Sequence, residues 1–215
     1  MTAQDVARRL PDLPVVRDRS RSLAMLDAIL SPEWEYRYYS FVAAWGPAQE
    51  LASMRNGSGD DYAIVFSPAG AWVRVFAHES PMSPWGLEPP RPWPGVLDTV
   101  PTAFQACVQE PAFTLDGVAM VSACLWRQTT DDRWHTGVID FPSRPEGPRR
   151  QRVAAGAAAG RLPRGLLAVR RGLLRAQVGE PGGRAAGLCA AAVDPAAGHR
   201  PQRPAICGGS GPRHR

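Results

Sequence analysis

Four residues at the two ends of one apolar stretch carry side chains that could do chemistry: Asp60, Asp61, His78 and Glu79. Between them lie two strand-like runs, 62–66 and 71–76, separated by Pro68-Ala69-Gly70 and preceded by the polar loop Asn56-Gly57-Ser58-Gly59. With Pro68-Ala69-Gly70 as the turn, Tyr62 faces Phe76, Val65 faces Val73 and Phe66 faces Trp72. At the polar end Asp60 then faces His78 and Asp61 faces Ala77, with paired Cβ atoms roughly 5 Å apart. Carboxylates and an imidazole so gathered could hold a divalent metal. They could equally form an Asp–His pair for general-base work. The competing expectation is a polar strand end, in which Asp60 bonds loop amides and His78 closes the pair. The weight falls there, because residues 1–142 offer only His78 and His135 and hold no His-x-x-His motif. No catalytic residue, metal site or cofactor is therefore expected.

Other motifs carry less. The loop Asn56-Gly57-Ser58-Gly59 lacks the Lys-Ser/Thr of a phosphate loop and leads into a strand rather than a helix. Ser58 and Ser80 lack the context of a nucleophile elbow. Trp126, Trp134 and His135 fall in a second hairpin and are expected to pack. Cys107 and Cys124 sit among apolar residues, in no zinc-type grouping, and read as buried thiols.

The elements that must position these residues follow in chain order. A short helix is expected over 3–10, ended by Pro11 and Pro14. A second, capped by Ser20 or Ser22, should use Leu23, Leu26, Ile29 and Leu30 to cover a sheet before Ser31-Pro32 stops it. Residues 36–45 read as a strand turned by Gly46-Pro47, and 51–54 as its brief partner. Both faces of the central hairpin are largely apolar, which places it inside a sheet. Prolines crowd residues 79–94 and exclude helix there. Trp85 and Trp93 in this loop serve either as lids over the core or as an exposed contact surface. Pro101 opens a helix toward Glu110, and 118–126 with 134–141 make a second hairpin joined by Thr129-Thr130-Asp131-Asp132. The expected fold is α+β: an antiparallel sheet of about five or six strands with two or three helices packed on it.

Charge separates the chain into two parts. Residues 1–142 hold 11 Arg and 17 acidic residues, a net of −6, whereas 143–215 hold 14 Arg and 3 acidic residues, a net of +11. All seven Trp, four Tyr and six Phe lie at or before Phe141. Without aromatics the second part is poorly equipped to build a core. We therefore expect one domain over 1–142 and a largely disordered Arg/Ala/Gly/Pro tail over 143–215, with one helix conceivable over 162–174. The tail reads as a basic arm for nucleic acid, as an unstructured extension, or as a frameshifted translation beginning near 143–152. The last carries most weight, since the chain has no lysine and is rich in residues with GC-rich codons. Nucleic acid is an expected partner only if the basic tail is genuine. Neither a signal peptide nor a membrane-length apolar run is visible, so the expected location is cytoplasmic.

The run Gly57-Ser58-Gly59-Asp60-Asp61-Tyr62-Ala63-Ile64-Val65-Phe66, followed by Gly70, Val73 and His78-Glu79, resembles the central motif of SUKH-type immunity proteins. The resemblance covers residues 56–79. It implies an α+β fold and a non-catalytic module that binds and neutralises a cognate protein toxin. The proline loop and second hairpin depart from that family, which places a helix after its His-Glu. Residues 1–142 also resemble a small family of uncharacterised proteins from high-GC bacteria, which implies no activity. The alternative is a small metal-dependent or general-base enzyme using Asp60, His78 and Glu79.

Overall fold

The computed structural model describes residues 2–139, and the expectations for the tail, including its helix, lie outside them. A six-stranded antiparallel sheet organises these residues in the order β1-β2-β3-β4-β7-β8, which is an α+β fold. Its strands are β1 (Tyr39–Gly46), β2 (Gln49–Arg55), β3 (Asp60–Ser67), β4 (Gly70–Ala77), β7 (Ala123–Gln128) and β8 (His135–Thr136). A separate two-stranded ribbon joins β5 (Thr114–Leu115) to β6 (Val118–Ala119). The predicted strand over 118–126 is thus split, because Val118–Ala119 pairs with its own short hairpin instead of the sheet. Of the second strand predicted over 134–141, residues 140 and 141 lie outside the described residues, and within these the hairpin shrinks to His135 and Thr136 against Trp126 and Leu125.

Each face of the sheet is covered by a different kind of layer. Tyr62, Ile64 and Phe66 of β3 and Ala71, Val73 and Val75 of β4 point to one side, where they pack with Val6 and Val16 of the N-terminal helices and with Leu10 between them. Ala63, Val65 and Trp72 point to the other, under a layer of loop residues that includes Met82, Leu87, Trp93, Val96, Phe104 and Phe113. Alternate side chains of a strand go to opposite faces, so a central hairpin apolar on both needs both layers.

Helix α1 (Ala3–Ala7) opens on a reciprocal cap between Thr2 and Asp5. Helix α2 (Leu13–Leu30) begins seven residues before the predicted cap at Ser20. Pro14 lies in its first turn, where a missing N–H costs nothing, so the proline starts the helix and does not end the previous one. Ser20 and Ser22 instead donate back to the carbonyls of Val16 and Asp18 at 2.8 and 2.9 Å. Val16 and Ser20 are buried on the side that faces the sheet, and Leu13 and Leu23 pack partly against the same core, Leu23 as expected. Leu26, Ile29 and Leu30 are exposed, contrary to expectation. Arg17 and Arg21 reach Glu50 on β2, and Asp27 accepts from the backbone amides of Tyr38 and Tyr39 at 2.6 and 2.7 Å. These polar ties orient the helix. The helix predicted from Pro101 toward Glu110 is a 3-10 turn, Thr102–Phe104, leading into α3 (Gln105–Val108). Further 3-10 turns lie at Trp34–Tyr36 and, inside the proline loop, at Pro84–Gly86.

The central hairpin differs from expectation by one residue of register. Asp60 pairs with Ala77, Asp61 with Phe76, Tyr62 with Val75, Val65 with Trp72 and Phe66 with Ala71. The turn is the two residues Pro68 and Ala69, because Gly70 is a strand residue paired with both Ser67 and Gln128. Gly70 has φ +135°, and a Cβ there would lie 2.1 Å from the carbonyl oxygen of Arg127 on β7. Close approach of β7, and not the turn alone, demands glycine at this position.

Candidate functional site

The polar end of the hairpin does not assemble as a four-residue cluster. Asp60 and Asp61 are consecutive in β3 and therefore project to opposite faces. Asp60 is buried, and its carboxylate is consumed by the adjoining loop. One oxygen accepts from the backbone N–H of His78 at 3.2 Å and the other from the Asn56 side-chain amide at 3.1 Å. Asn56 Oδ1 in turn accepts from the backbone amides of Ser58 and Asp60 at 2.9 and 3.1 Å. The loop is thereby folded onto a buried carboxylate at a polar strand end. Its backbone amides, however, bond to Asn56 and not, as expected, to Asp60 itself, and Ala77, not His78, pairs with Asp60. The bond runs to the backbone of His78 and not to its imidazole, so the Asp–His geometry of a general base is not formed. Gly59, at φ +84°, lets the loop pass under His78, with a Cβ position only 3.0 Å from the His78 Cβ.

Asp61 belongs to a different site. Its carboxylate forms an ion pair with Arg74, a residue of β4 that is only 7 % exposed. Arg74 also donates to the carbonyl of Met120 at 2.6 Å and lies 5.1 Å from the ring centre of Phe113. Burial pushes the Asp61 carboxyl above its ordinary range, against the pull of Arg74, and lowers the Arg74 guanidinium. Beside this pair opens a cleft of about 280 Å³ lined by Trp34, Tyr38, Trp45, Arg55 and Phe113. Sequence reasoning passed over Arg74, although a lone arginine in an otherwise apolar strand was the available signal.

His78 and Glu79 are exposed at the end of β4. Phe76 links His78 to the proline loop: its ring lies 6.5 Å from His78 and 6.4 Å from Trp85, edge-on in both contacts. Trp85 remains 41 % exposed, whereas Trp93 is buried at 8 % in the loop-side core. The two tryptophans thus part company: Trp93 is a packed lid, which removes it from the expected contact surface, and Trp85 stays available. Among the described residues, no three His, Cys, Asp or Glu side chains converge as metal ligands would. Trp126 and His135 stack at 6.4 Å, and Trp134 is buried with its indole N–H donating to Pro11 at 2.7 Å, so this group packs as expected.

An exposed apolar surface that the sequence did not announce lies along the outer face of α2 and the following turn. Met25, Leu26, Ile29 and Leu30, then Trp34 and Tyr36, are each more than half exposed. No helix among the described residues is long and apolar enough to cross a membrane. Compared with protein-family models, curated proteins and solved structures, the chain matches none.

Proposed function

We propose that this chain is a non-catalytic protein-binding module of the SUKH-like toxin-immunity type. The observation that carries this reading is Trp85, a large half-exposed aromatic braced edge-on by Phe76 at the strand end where His78 and Glu79 are exposed. A large aromatic braced by a neighbouring ring suits the centre of a protein interface, where tryptophan side chains supply a large share of the binding energy. The net charge of −6 over residues 1–142 favours a basic partner, whose association it would accelerate. The resemblance over residues 56–79 supplies the class of partner: a cognate protein toxin, neutralised by occupancy. An enzyme using Asp60, His78 and Glu79 would need the Asp60 carboxylate for chemistry, and that group is already committed to Asn56 and the His78 amide.

The reading predicts a toxin-like gene next to that of this chain, and the absence of any toxin-like neighbour counts against it. The test is co-expression of the full chain with the product of the adjacent gene, followed by titration calorimetry on the purified pair. A complex that Trp85→Ala weakens by about tenfold or more is expected, with the association rate falling as salt rises. Failure of the neighbouring gene product to bind, or a complex insensitive to Trp85, overturns the reading.

A further inference from the structure

Helix α2 has two apolar faces, and the described fold uses only one. Val16 and Ser20 are buried against the sheet, with Leu13 and Leu23 partly covered. Its position is fixed by the Arg17 and Arg21 contacts to Glu50 and by Asp27, which caps the start of β1. The helix cannot roll to bury its second face without breaking these ties. That second face holds Met25 and Ile29, then Leu26 and Leu30, each pair four residues apart and so stacked along one side of the helix. Their exposures are 65 % and 67 %, and 56 % and 75 %.

The apolar surface continues past the helix end. Arg37 donates to the carbonyls of Ser31 and Pro32 at 2.8 and 2.6 Å, folding the turn Trp34–Tyr36 back beside the C-terminus of α2. Its guanidinium also lies 5.9 Å from the Trp34 ring. Trp34 and Tyr36 keep 58 % and 64 % of their surface in solvent. Six large side chains exposed to this degree present on the order of 800 Å², about what one partner contributes to a standard stable interface. Solitary exposed leucines need no explanation, but a patch of this size on one helix and the turn that follows it does.

We propose that this face is a two-fold interface at which a second copy of the chain packs its own α2. Three observations favour a second copy as the occupant. The area offered matches what a stable dimer buries on each side. The four helical residues are uncharged aliphatic or thioether side chains, which can match themselves across a dyad, while the charges of this surface, Glu33 and Glu35 among them, lie in the turn beyond the helix. Side chains spaced at i and i+4 form the ridges that seat in the grooves of an identical helix. The neighbouring sheet edge is a poorer alternative. Strand β1 is outermost, but its pairing is regular only over Tyr39–Val42 before a bulge displaces the register between Val42 and Gly46. A bulge of this kind turns an edge away from further pairing. The inference stands apart from the toxin-binding reading, which uses Trp85.

Sedimentation velocity on the full chain, from about 1 to 100 μM, tests it, since even the weakest interfaces of this area associate at about micromolar concentrations. The expected result is a dimer that Leu26→Glu or Ile29→Glu converts to monomer, raising its dissociation constant by about a hundredfold or more. Both side chains are more than half exposed, so circular dichroism should be unchanged. Ile29→Ser serves as a milder second variant, and Trp85→Ala should leave the dimer intact. A wild-type monomer throughout the range would overturn the proposal. A dimer that survives all three helix substitutions would overturn it as well.

Discussion

Asp61 and Arg74 form an ion pair across the central hairpin, diagonal neighbours on the loop-covered face of the sheet. Arg74 is the more buried partner and holds the Met120 carbonyl and the Phe113 ring in addition. Its Nε has no hydrogen-bond partner. A charge so placed depends on its counterion. Asp61→Asn is expected to cost about 2–4 kcal/mol, because it leaves a buried guanidinium uncompensated. The double variant Asp61→Asn/Arg74→Met should recover more than half of that loss, since a well-packed apolar pair often replaces a buried ion pair without penalty. Chemical denaturation of the full chain reads both. Additive losses would show that the two residues act independently.

Asp60 and His78 should behave oppositely on substitution. The Asp60 carboxylate is buried and accepts from two donors in the loop and strand end, so Asp60→Ala should destabilise by about 1–3 kcal/mol. The His78 imidazole is exposed, and the bond to Asp60 uses only its backbone N–H, which His78→Ala retains. The expected change for His78→Ala lies within about 0.5 kcal/mol. Equal losses in both variants would mean that the imidazole itself closes the strand end. Metal analysis of the purified protein separates this from the enzyme reading. Stoichiometric metal lost on His78→Ala would restore the site as one for chemistry.

The class of fold was legible in the sequence because the hairpin and its flanking elements obey simple periodicities. Aromatic and branched residues over 62–66 and 71–76 mark strands, and their two apolar faces require two covering layers, both of which are present. Register was not legible, because it hangs on whether Gly70 belongs to the turn or the strand. That question is decided by the approach of Arg127 from a strand more than fifty residues away. Since one residue of slip changes every facing pair, the predicted Asp60–His78 opposition was lost with it. The start of α2 was missed because a proline can open a helix as readily as end one. The outward face of that helix was missed because its leucines look like core residues until polar ties to Glu50 and Tyr38 fix which side turns inward.

Cys107 and Cys124 both lie in the loop-side core. Burial pushes the Cys107 thiol up to about 11, and raises that of Cys124 still further. Since the thiolate is the nucleophile, both should stay protonated and inert near neutral pH. Alkylation of the native full chain with iodoacetamide at pH 8, mapped by mass spectrometry, should leave these two cysteines unmodified. In denaturant both should label completely. Rapid native labelling of Cys124 would show that its core opens far more often than its packing implies.

The cap of α1 offers a pH dependence whose sign can be worked out. The Asp5 carboxylate accepts from the Thr2 backbone N–H at 2.7 Å and pairs with Arg8. The Thr2 bond contributes most and Arg8 next, and together they lower Asp5 from 3.8 to about 2. A carboxyl depressed in the folded state contributes stability that is present above its unfolded value and lost as pH falls through the folded one. The capping box should therefore hold above roughly pH 4 and open between about pH 4 and 2. Carboxyl carbon shifts of Asp5, followed by NMR, are expected to titrate with a midpoint near 2. Arg8→Ala should move that midpoint upward only part of the way, because the Thr2 bond remains. A wild-type midpoint at the ordinary 3.8, unmoved by Arg8→Ala, would mean that the reciprocal cap does not persist in solution.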